Sequence, residues 1–338
     1  MKGKDTREGL LTLLREHRGA FVSGESISRR LGVSRSAVWK QIAQLRGAGF
    51  EVEAVPSRGY RLLLNPDLLL AAEIAAGLGT RCIGRELQCH DSIDSTNLRA
   101  WHCGETDVAE GTVVIADEQS AGKGRMGRTW TSPPGVNLYL SVLLRPDLAP
   151  RHAPQFTFLS ALAVARAVEA MSGLRPTVKW PNDVLLRGHK VAGLLNEMSA
   201  ETEHIHFLVL GIGVNLNMTT AQFPANLRYP ATSLAQEKGS AVSRLAFCRA
   251  LLRELDDLYT LFHERGFAPI REGWEGYFDL VGHGVAVEDG GSRLTGEVTG
   301  IDTDGALLLR LPGGEIERIL SGDVRPLAAA ALPPARGF

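Results

Sequence analysis

The stretch Gln119-Ser120-Ala121-Gly122-Lys123-Gly124-Arg125-Met126-Gly127-Arg128-Thr129-Trp130, continuing into Thr131-Ser132-Pro133-Pro134-Gly135, decides what kind of sheet this chain builds. Gly122, Gly124 and Gly127 satisfy the G-x-G-x-x-G spacing that marks a doubly wound dinucleotide fold when it lies between a strand and a helix. The strand is present, running from Thr112 to Ala116, but the helix is missing. Pro133 and Pro134 follow the loop, and proline inside a helix removes a hydrogen bond and clashes with the preceding turn. Working outward, Asn137 to Leu144, Val178 to Trp180, Val184 to Leu186, Val191 to Asn196 and His206 to Ile212 read as strands. Only two long helices are predicted around them. One runs from Gln155 to Met171; the other, Arg244 to His263, carries Leu245, Cys248, Leu252, Leu255, Leu258 and Leu261 on its apolar side. Strands in runs with few interleaved helices favour an α+β domain over regular βαβ winding.

The flanks read differently from this centre. Leu10, Leu11, Leu13 and Leu14 give a first helix its apolar face, Ser23 to Leu31 is a second, and Gly32-Val33-Ser34 is a turn with Ser34 as N-cap of a third. Val38, Ile42 and Leu45 form the buried stripe of that third helix, leaving Arg35, Ser36, Trp39 and Lys40 on another side. Phe50 to Val55 and Tyr60 to Leu64 are short strands around Pro56-Ser57-Arg58-Gly59. The sum is a helix-turn-helix with a two-stranded wing. Asn65-Pro66 marks a boundary, and a helix from Pro66 to Leu78 is expected to connect the domains. Beyond Tyr277, short strands at 285–287, 294–301, 306–311 and 315–319 alternate with Asp304-Gly305 and Gly313-Gly314 turns, as in a small β-barrel. The alanine- and proline-rich tail 327–338 is expected to be disordered. The domain expectation is therefore 1–64, a linker helix 65–79, a centre 80–275, a C-terminal β domain 276–326, and the tail.

Charge separates these parts. The chain of 338 residues carries a net −1, yet residues 1–64 hold 12 Lys and Arg against 6 Asp and Glu, and the remainder is net −7. A basic domain on an acidic body points to a polyanion partner for the N-terminal part alone. No apolar run reaches the 18 or so residues of a membrane span, and Met1 to Leu10 lacks the apolar core of a secretory signal, so a cytoplasmic protein is expected. Cys82, Cys89, Cys103 and Cys248 form no C-x-x-C pair, which suits free thiols in a reducing compartment. Cys89-His90 and His102-Cys103 fit no zinc spacing.

The chemistry concentrates in two places. From Gln119 to Pro146 there is no Asp or Glu, while Lys123, Arg125, Arg128 and Arg145 are present. Glycines let backbone amides approach an anion, and arginine adds a two-pronged donor for phosphate or carboxylate. Such a loop suits a reaction that brings a carboxylate up to a triphosphate; a solvated basic loop without ligand is the plainer alternative. The second place is Lys179-Trp180-Pro181-Asn182-Asp183, with Lys190 and Gly193 in the next strand. Asn182 and Asp183 offer oxygens to Mg²⁺ or its waters, and a lysine in a half-buried strand is expensive unless it meets an anion. A turn with a surface ion pair is the alternative there. Asp94-Ser95-Thr96-Asn97 precedes a helix with Ser95 at its N-cap, and Gly211-Ile212-Gly213-Val214-Asn215 ends a strand with glycines fit to floor a pocket.

Ser95-Thr96-Asn97, the Gly122 to Trp130 loop, Lys179 to Asp183, Lys190 and Gly211 to Asn215 stand in the order and spacing of biotin protein ligases. With the N-terminal winged helix, the chain from about Leu10 to Arg325 resembles the bacterial biotin operon repressor and biotin–[acetyl-CoA-carboxylase] ligase family. The resemblance implies a central mixed-sheet ligase domain like class II aminoacyl-tRNA synthetases and a C-terminal SH3-like barrel. It implies that biotin and ATP form biotinyl-5′-AMP, and that a lysine of the biotin carboxyl carrier protein then takes the biotin. By position, Ser95, Thr96, Asn97, Gln119, Lys123, Gly124, Arg125 and Lys190 would hold biotin. Arg125, Arg128, Trp130, Lys179, Asn182, Gly211 and Asn215 would hold ATP or the adenylate. Lys190, Arg125 and Asp183 would be catalytic, with Mg²⁺ at Asn182 and Asp183. Operator DNA would meet Arg35, Ser36, Trp39, Lys40 and, in the wing, Arg58, with biotinyl-5′-AMP as corepressor promoting a homodimer. Two positions depart from the family: Lys123 and Met126 stand where arginine is frequent, so the two-pronged geometry at 123 is lost. A lipoate or octanoate ligase, and a DNA-binding biotin sensor without turnover, are the competing readings.

Overall fold

The computed structural model describes residues 2–17, 20–47, 50–64, 67–289 and 291–327. The chain divides into two compact units, Met1–Leu68 and Leu69–Phe338. Asn65 and Pro66, read above as a boundary, lie outside the described residues, as does the tail beyond Leu327.

In the first unit, α1 (Lys2–Glu16), α2 (Gly24–Leu31) and α3 (Arg35–Gly47) precede an antiparallel pair, β1 (Glu51–Val55) and β2 (Gly59–Leu64). Ser34 caps α3 as expected, and Ser23, read as the first residue of the second helix, is the N-cap of α2. Ser23 Oγ accepts from the Ser26 amide at 3.1 Å, and Ser34 Oγ accepts from the Ala37 amide at 3.2 Å. Leu10, Leu14, Ile27, Val38, Ile42 and Leu45 are buried together as core, while Trp39 is 66% exposed on α3. Val22 bridges to Tyr60 and adds a third short segment to the wing. Gly59 is obligatory there: φ is +104° and a Cβ would lie 2.1 Å from the Val22 carbonyl oxygen.

The second unit is built on a seven-stranded sheet ordered β3-β4-β5-β9-β8-β7-β6. Its strands are β3 (Leu87–Ile93), β4 (Val113–Gln119), β5 (Leu138–Leu144), β6 (Thr177–Lys179), β7 (Asp183–Leu186), β8 (His189–Ala200) and β9 (Ile205–Val214). Only β3 and β4 run parallel; the other neighbours are antiparallel. Because successive strand residues face opposite ways, the sheet has two distinct faces. Ile115, Val142, Leu144, Leu208 and Leu210 face the main core with α6 (Gln155–Ser172), α8 (Arg244–Arg265) and α9 (Ala268–Glu275). Val114, Leu143, Phe207 and Val209 face α5 (Thr96–Gly104) through Ala100 and Cys103. The helix α6 is apolar nearly all round, as a helix enclosed on every side must be.

Two expectations need correction. The connecting helix predicted from Pro66 to Leu78 is only five residues long, α4 (Ala71–Ala75). Leu69, Ile74 and Leu78 are drawn into the core of the second unit, and Gly77 turns with φ +72°, so packing and glycine curtail the helix. The strand β3 was not anticipated, because Gln88, Cys89, His90, Asp91 and Ser92 show no apolar alternation; it is an edge strand with both faces partly exposed. After a short α7 (Leu234–Lys238), α8 and α9, the chain ends in a five-stranded antiparallel sheet, β13-β12-β11-β10-β14. Its strands are β10 (Gly284–Asp289), β11 (Ser292–Ile301), β12 (Leu307–Arg310), β13 (Ile316–Ile319) and β14 (Asp323–Pro326), the last unanticipated. Trp180, buried at the end of β6, donates to the Gly305 carbonyl at 3.1 Å and ties this sheet to the large one.

The entry to β3 is held by one buried carboxylate. Asp256 of α8 accepts from the backbone amides of Arg81, Cys82 and Ile83 at 2.7–2.8 Å. Asp256→Ala leaves three amides without their acceptor and is expected to lower stability by about 3 kcal/mol in urea denaturation of the full chain. A loss below about 1 kcal/mol would contradict that role.

Candidate active site

On the α5 face of the sheet the side chains stop. Phe207 and Val209 pack under α5, but the next positions of β9 on that face are Gly211 and Gly213, and Gly193 of β8 pairs directly with Gly213. The result is a bare backbone floor beyond the end of α5. Each glycine is needed for what lies on it. A Cβ at Gly211 would sit 2.1 Å from Asn97 Oδ1, and at Gly213 it would sit 2.6 Å from the Trp130 indole. At Gly193 it would meet Trp130 at 2.8 Å and Lys190 Nζ at 3.0 Å.

The glycine–arginine stretch covers this floor as a folded hairpin. Gln119 bridges Ser132 and Lys123 bridges Thr129. The Gly124 amide donates to Arg128 O at 2.7 Å, and the Trp130 amide donates to Gly122 O at 2.8 Å. Only a three-residue 3-10 turn, Arg125–Gly127, is helical, with Met126 at φ 56° and Gly127 at φ 72°; the dinucleotide geometry is excluded as expected. Trp130 is thereby laid across Gly193 and Gly213, with Lys190 Nζ 5.3 Å from its ring centroid.

One cavity brings together Ser95, Thr96, Asn97, Gln119, Lys123, Gly124, Arg125, Arg128, Trp130, Asn182, Asp183, Lys190, Gly211 and Asn215, nearly the whole expected set. It has two chemically different ends. At one, polar groups are wired to each other. The Thr96 amide donates to Gln119 Oε1 at 2.8 Å, Gln119 Nε2 donates to Ser132 Oγ at 2.9 Å, and Ser141 Oγ donates to Asn97 Oδ1 at 2.6 Å. Asn97 Nδ2 donates to Leu195 O at 3.1 Å and Glu197 Oε2 at 2.7 Å, so its amide braces the floor. Ser95 stands at the N-cap of α5 but its side chain makes no capping bond.

At the other end are the cations. Lys190 Nζ lies 2.7 Å from Asp183 Oδ1. Arg125 Nη1 donates to Asn182 Oδ1 at 3.0 Å, and burial is the main cause holding its guanidinium below the ordinary arginine value. Lys179 alone of the expected residues does not line the cavity; it is 9% exposed and stacks its ammonium 3.3 Å from the centroid of Tyr229, which does. For Mg²⁺ the donors fit poorly. Asn182 Oδ1 is taken by Arg125, Asp183 pairs with Lys190, and among the described residues no three His, Cys, Asp or Glu cluster to hold a metal.

Sequence reasoning missed one wall. Met218, Phe223, Pro224, Leu227, Arg228, Tyr229 and Ala231 form it, and Asp323 of β14 reaches the same rim. That loop is anchored where it passes Lys190, whose amide donates to Pro230 O at 2.9 Å. Its only sequence signal was a cluster of apolar residues and prolines without periodicity.

Residues 89–215 match the Biotin/lipoate A/B protein ligase family, residues 281–325 the biotin protein ligase C-terminal domain, and residues 6–61 a helix-turn-helix domain. Over 318 residues the chain is 40% identical to the bifunctional ligase/repressor BirA of Bacillus spizizenii, covering 94% of this chain and 98% of that one. The chain belongs to the biotin protein ligase family. The Escherichia coli bifunctional ligase/repressor BirA is 34% identical, covering 87% of this chain and 90% of that one. The biotin protein ligase of Aquifex aeolicus, solved in complex with biotin and ATP, aligns with a TM-score of 0.63 at 30% identity, over 72% of this chain and 100% of that one. Asn97 and Trp130, seated on these glycines, line the cavity, so displacing one of them is a sharp test of the site. Gly211→Ala displaces Asn97 and is expected to weaken biotin binding about ten-fold or more by calorimetry, with the fold retained by circular dichroism. Unchanged affinity would contradict the placement of the floor.

Proposed function

We propose that this chain joins biotin to AMP and passes it to a lysine of the biotin carboxyl carrier protein. One observation carries the reading: a single cavity has a neutral polar end at Ser95, Thr96 and Gln119 and a cationic end at Lys190 and Arg125, with Trp130 on a glycine floor between them. The neutral end suits an uncharged hydrogen-bonding ring such as biotin's ureido group, which lipoate and octanoate lack. The cationic end suits a carboxylate and an α-phosphate together.

In the first step, a biotin carboxylate oxygen attacks the α-phosphorus of ATP; a P–O bond forms and pyrophosphate leaves. Lys190 and Arg125 offset the negative charge gathered there. In the second, the carrier's lysine amine attacks the acyl carbon, the C–O bond to AMP breaks, and AMP leaves with the electron pair. Asp183, beside Lys190, is suited to take the proton from the incoming amine. Lys123, Gly124 and Arg128 border the bound adenylate, Trp130 covers its base side, and Asn182, Gly211 and Asn215 shape the pocket behind it, with Lys179 supporting Tyr229 from outside. Mg²⁺ is assigned to the triphosphate, not to a protein cage, and no step is routed through it. The central domain is read as class II synthetase-like and the C-terminal sheet as an SH3-like barrel, on the domain order that the sequence implies.

The N-terminal unit is proposed to bind operator DNA. Arg35, Ser36, Trp39 and Lys40 are exposed on one side of α3, and Arg58 is in the wing turn, its guanidinium 4.2 Å from the Phe21 ring centroid. Biotinyl-5′-AMP is proposed as corepressor, promoting a homodimer through the ligase domain. No helix among the described residues is long and apolar enough to cross a membrane, and the cytoplasm, where carrier and operator reside, is the proposed location.

Lys190→Ala is expected to slow biotin-dependent pyrophosphate release at least about a hundred-fold without loss of fold. Mass spectrometry of a carrier domain incubated with ATP and Mg²⁺ is expected to show labelling with biotin and none with lipoate; equal or greater labelling with lipoate would favour the lipoate or octanoate ligase. For the DNA arm, replacing Arg35 and Lys40 with alanine is expected to weaken operator binding and lower the salt dependence by about one unit of log–log slope for each phosphate no longer neutralised. Equal DNA affinity with and without biotinyl-5′-AMP would end the corepressor proposal.

A further inference from the structure

The C-terminal sheet presents two carboxylates side by side. Glu288 of β10 and Asp323 of β14 are directly opposed partners in the ladder. Like charges at that spacing oppose strand pairing unless a cation joins them. Arg228, on the wall loop of the cavity, does so: one terminal nitrogen is 2.6 Å from Asp323 Oδ2 and the other is 2.8 Å from Glu288 Oε2. Arg128, from the glycine–arginine hairpin, reaches that same Asp323 oxygen at 2.5 Å. One carboxylate oxygen therefore holds an arginine from each of the two segments that cover the cavity. The Asp323 side chain is 14% exposed, while Arg128 and Arg228 are 39% and 38% exposed, so water screens these contacts in part. Burial opposes the charge, yet the bonds from Arg128 and the nearby Arg228 and Lys179 keep its carboxyl below the ordinary aspartate value.

We propose that Asp323 is a positioning residue that fastens both covering segments to the C-terminal sheet, and so sets how long an acyl-adenylate is kept from water and from release. It touches no reacting atom in this account; it acts through Arg128 and Arg228. The inference rests on the ligase reading for its consequence, but the fastening itself does not.

The experiment uses the full chain with Asp323→Asn, which removes the charge at constant size, and Asp323→Glu, which restores it. Without ligand, amide hydrogen exchange in residues 119–132 and 218–231 is expected to rise about ten-fold or more in Asp323→Asn, with β10 to β12 unchanged, and to return toward the parent in Asp323→Glu. With biotin and ATP, the preformed adenylate is expected to escape about ten-fold faster from Asp323→Asn, while its rate of formation changes less. Unchanged exchange, a rise in one segment only, or a rise spread equally through the C-terminal sheet would overturn the fastening. A parent chain that forms no adenylate would overturn the ligase reading instead, and the exchange data would still decide the fastening.

Discussion

Two anions brought within bonding distance repel, and the arrangement around Lys190 and Arg125 is proposed to answer that constraint. At 4 Å, two unit charges interact by about 1 kcal/mol in water and about 4 kcal/mol near a protein surface, so a site that excludes water must supply opposite charge of its own. In this protein the cations are held ready by local partners. Lys190 lies against Asp183 and Arg125 against Asn182, each with a polar neighbour from the same short strand entry after Trp180. An incoming carboxylate and phosphate would meet cations already placed, with little reorganisation left to do.

The sheet supplies the space for this. Its α5 face carries Phe207 and Val209 where a helix packs, and Gly211, Gly213 and Gly193 where Asn97 and Trp130 lie close against the backbone. The alternation of strand side chains makes the change abrupt: moving two residues along β9 exchanges a packed face for a bare one. The hairpin from Gln119 to Ser132 then roofs the floor with Trp130, and the loop from Met218 to Ala231 closes a third side.

Much of this is legible in the residues themselves. The helix cap at Ser34 and the exclusion of a dinucleotide fold by Pro133 and Pro134 follow from local chemistry, because each is set by neighbours close in sequence, whereas the grouping of Ser95, Gln119, Arg125, Asp183 and Lys190 is what the resemblance to biotin protein ligases implies. What could not be read depends on contacts far apart in the chain. The strand Leu87–Ile93 is polar because it is an edge, so it lacks the pattern of a half-buried strand. The helix near Ala71 is shortened by core packing that its own residues do not announce. Asp323 joins Arg128 across 195 residues, and no periodicity signals such a pairing. Asn97 lines the cavity as its motif suggests, but the bonds of its amide to Leu195, Glu197 and Ser141 span the chain and could not be read from it.

The central claim is that the cationic end of the cavity permits a vitamin carboxylate to displace pyrophosphate from ATP. Isotope exchange between labelled pyrophosphate and ATP reads that step alone, without carrier or DNA. Exchange is expected to appear on adding biotin and to disappear when biotin is withheld; a chain that binds both substrates yet catalyses no biotin-dependent exchange would contradict that role of the cationic end.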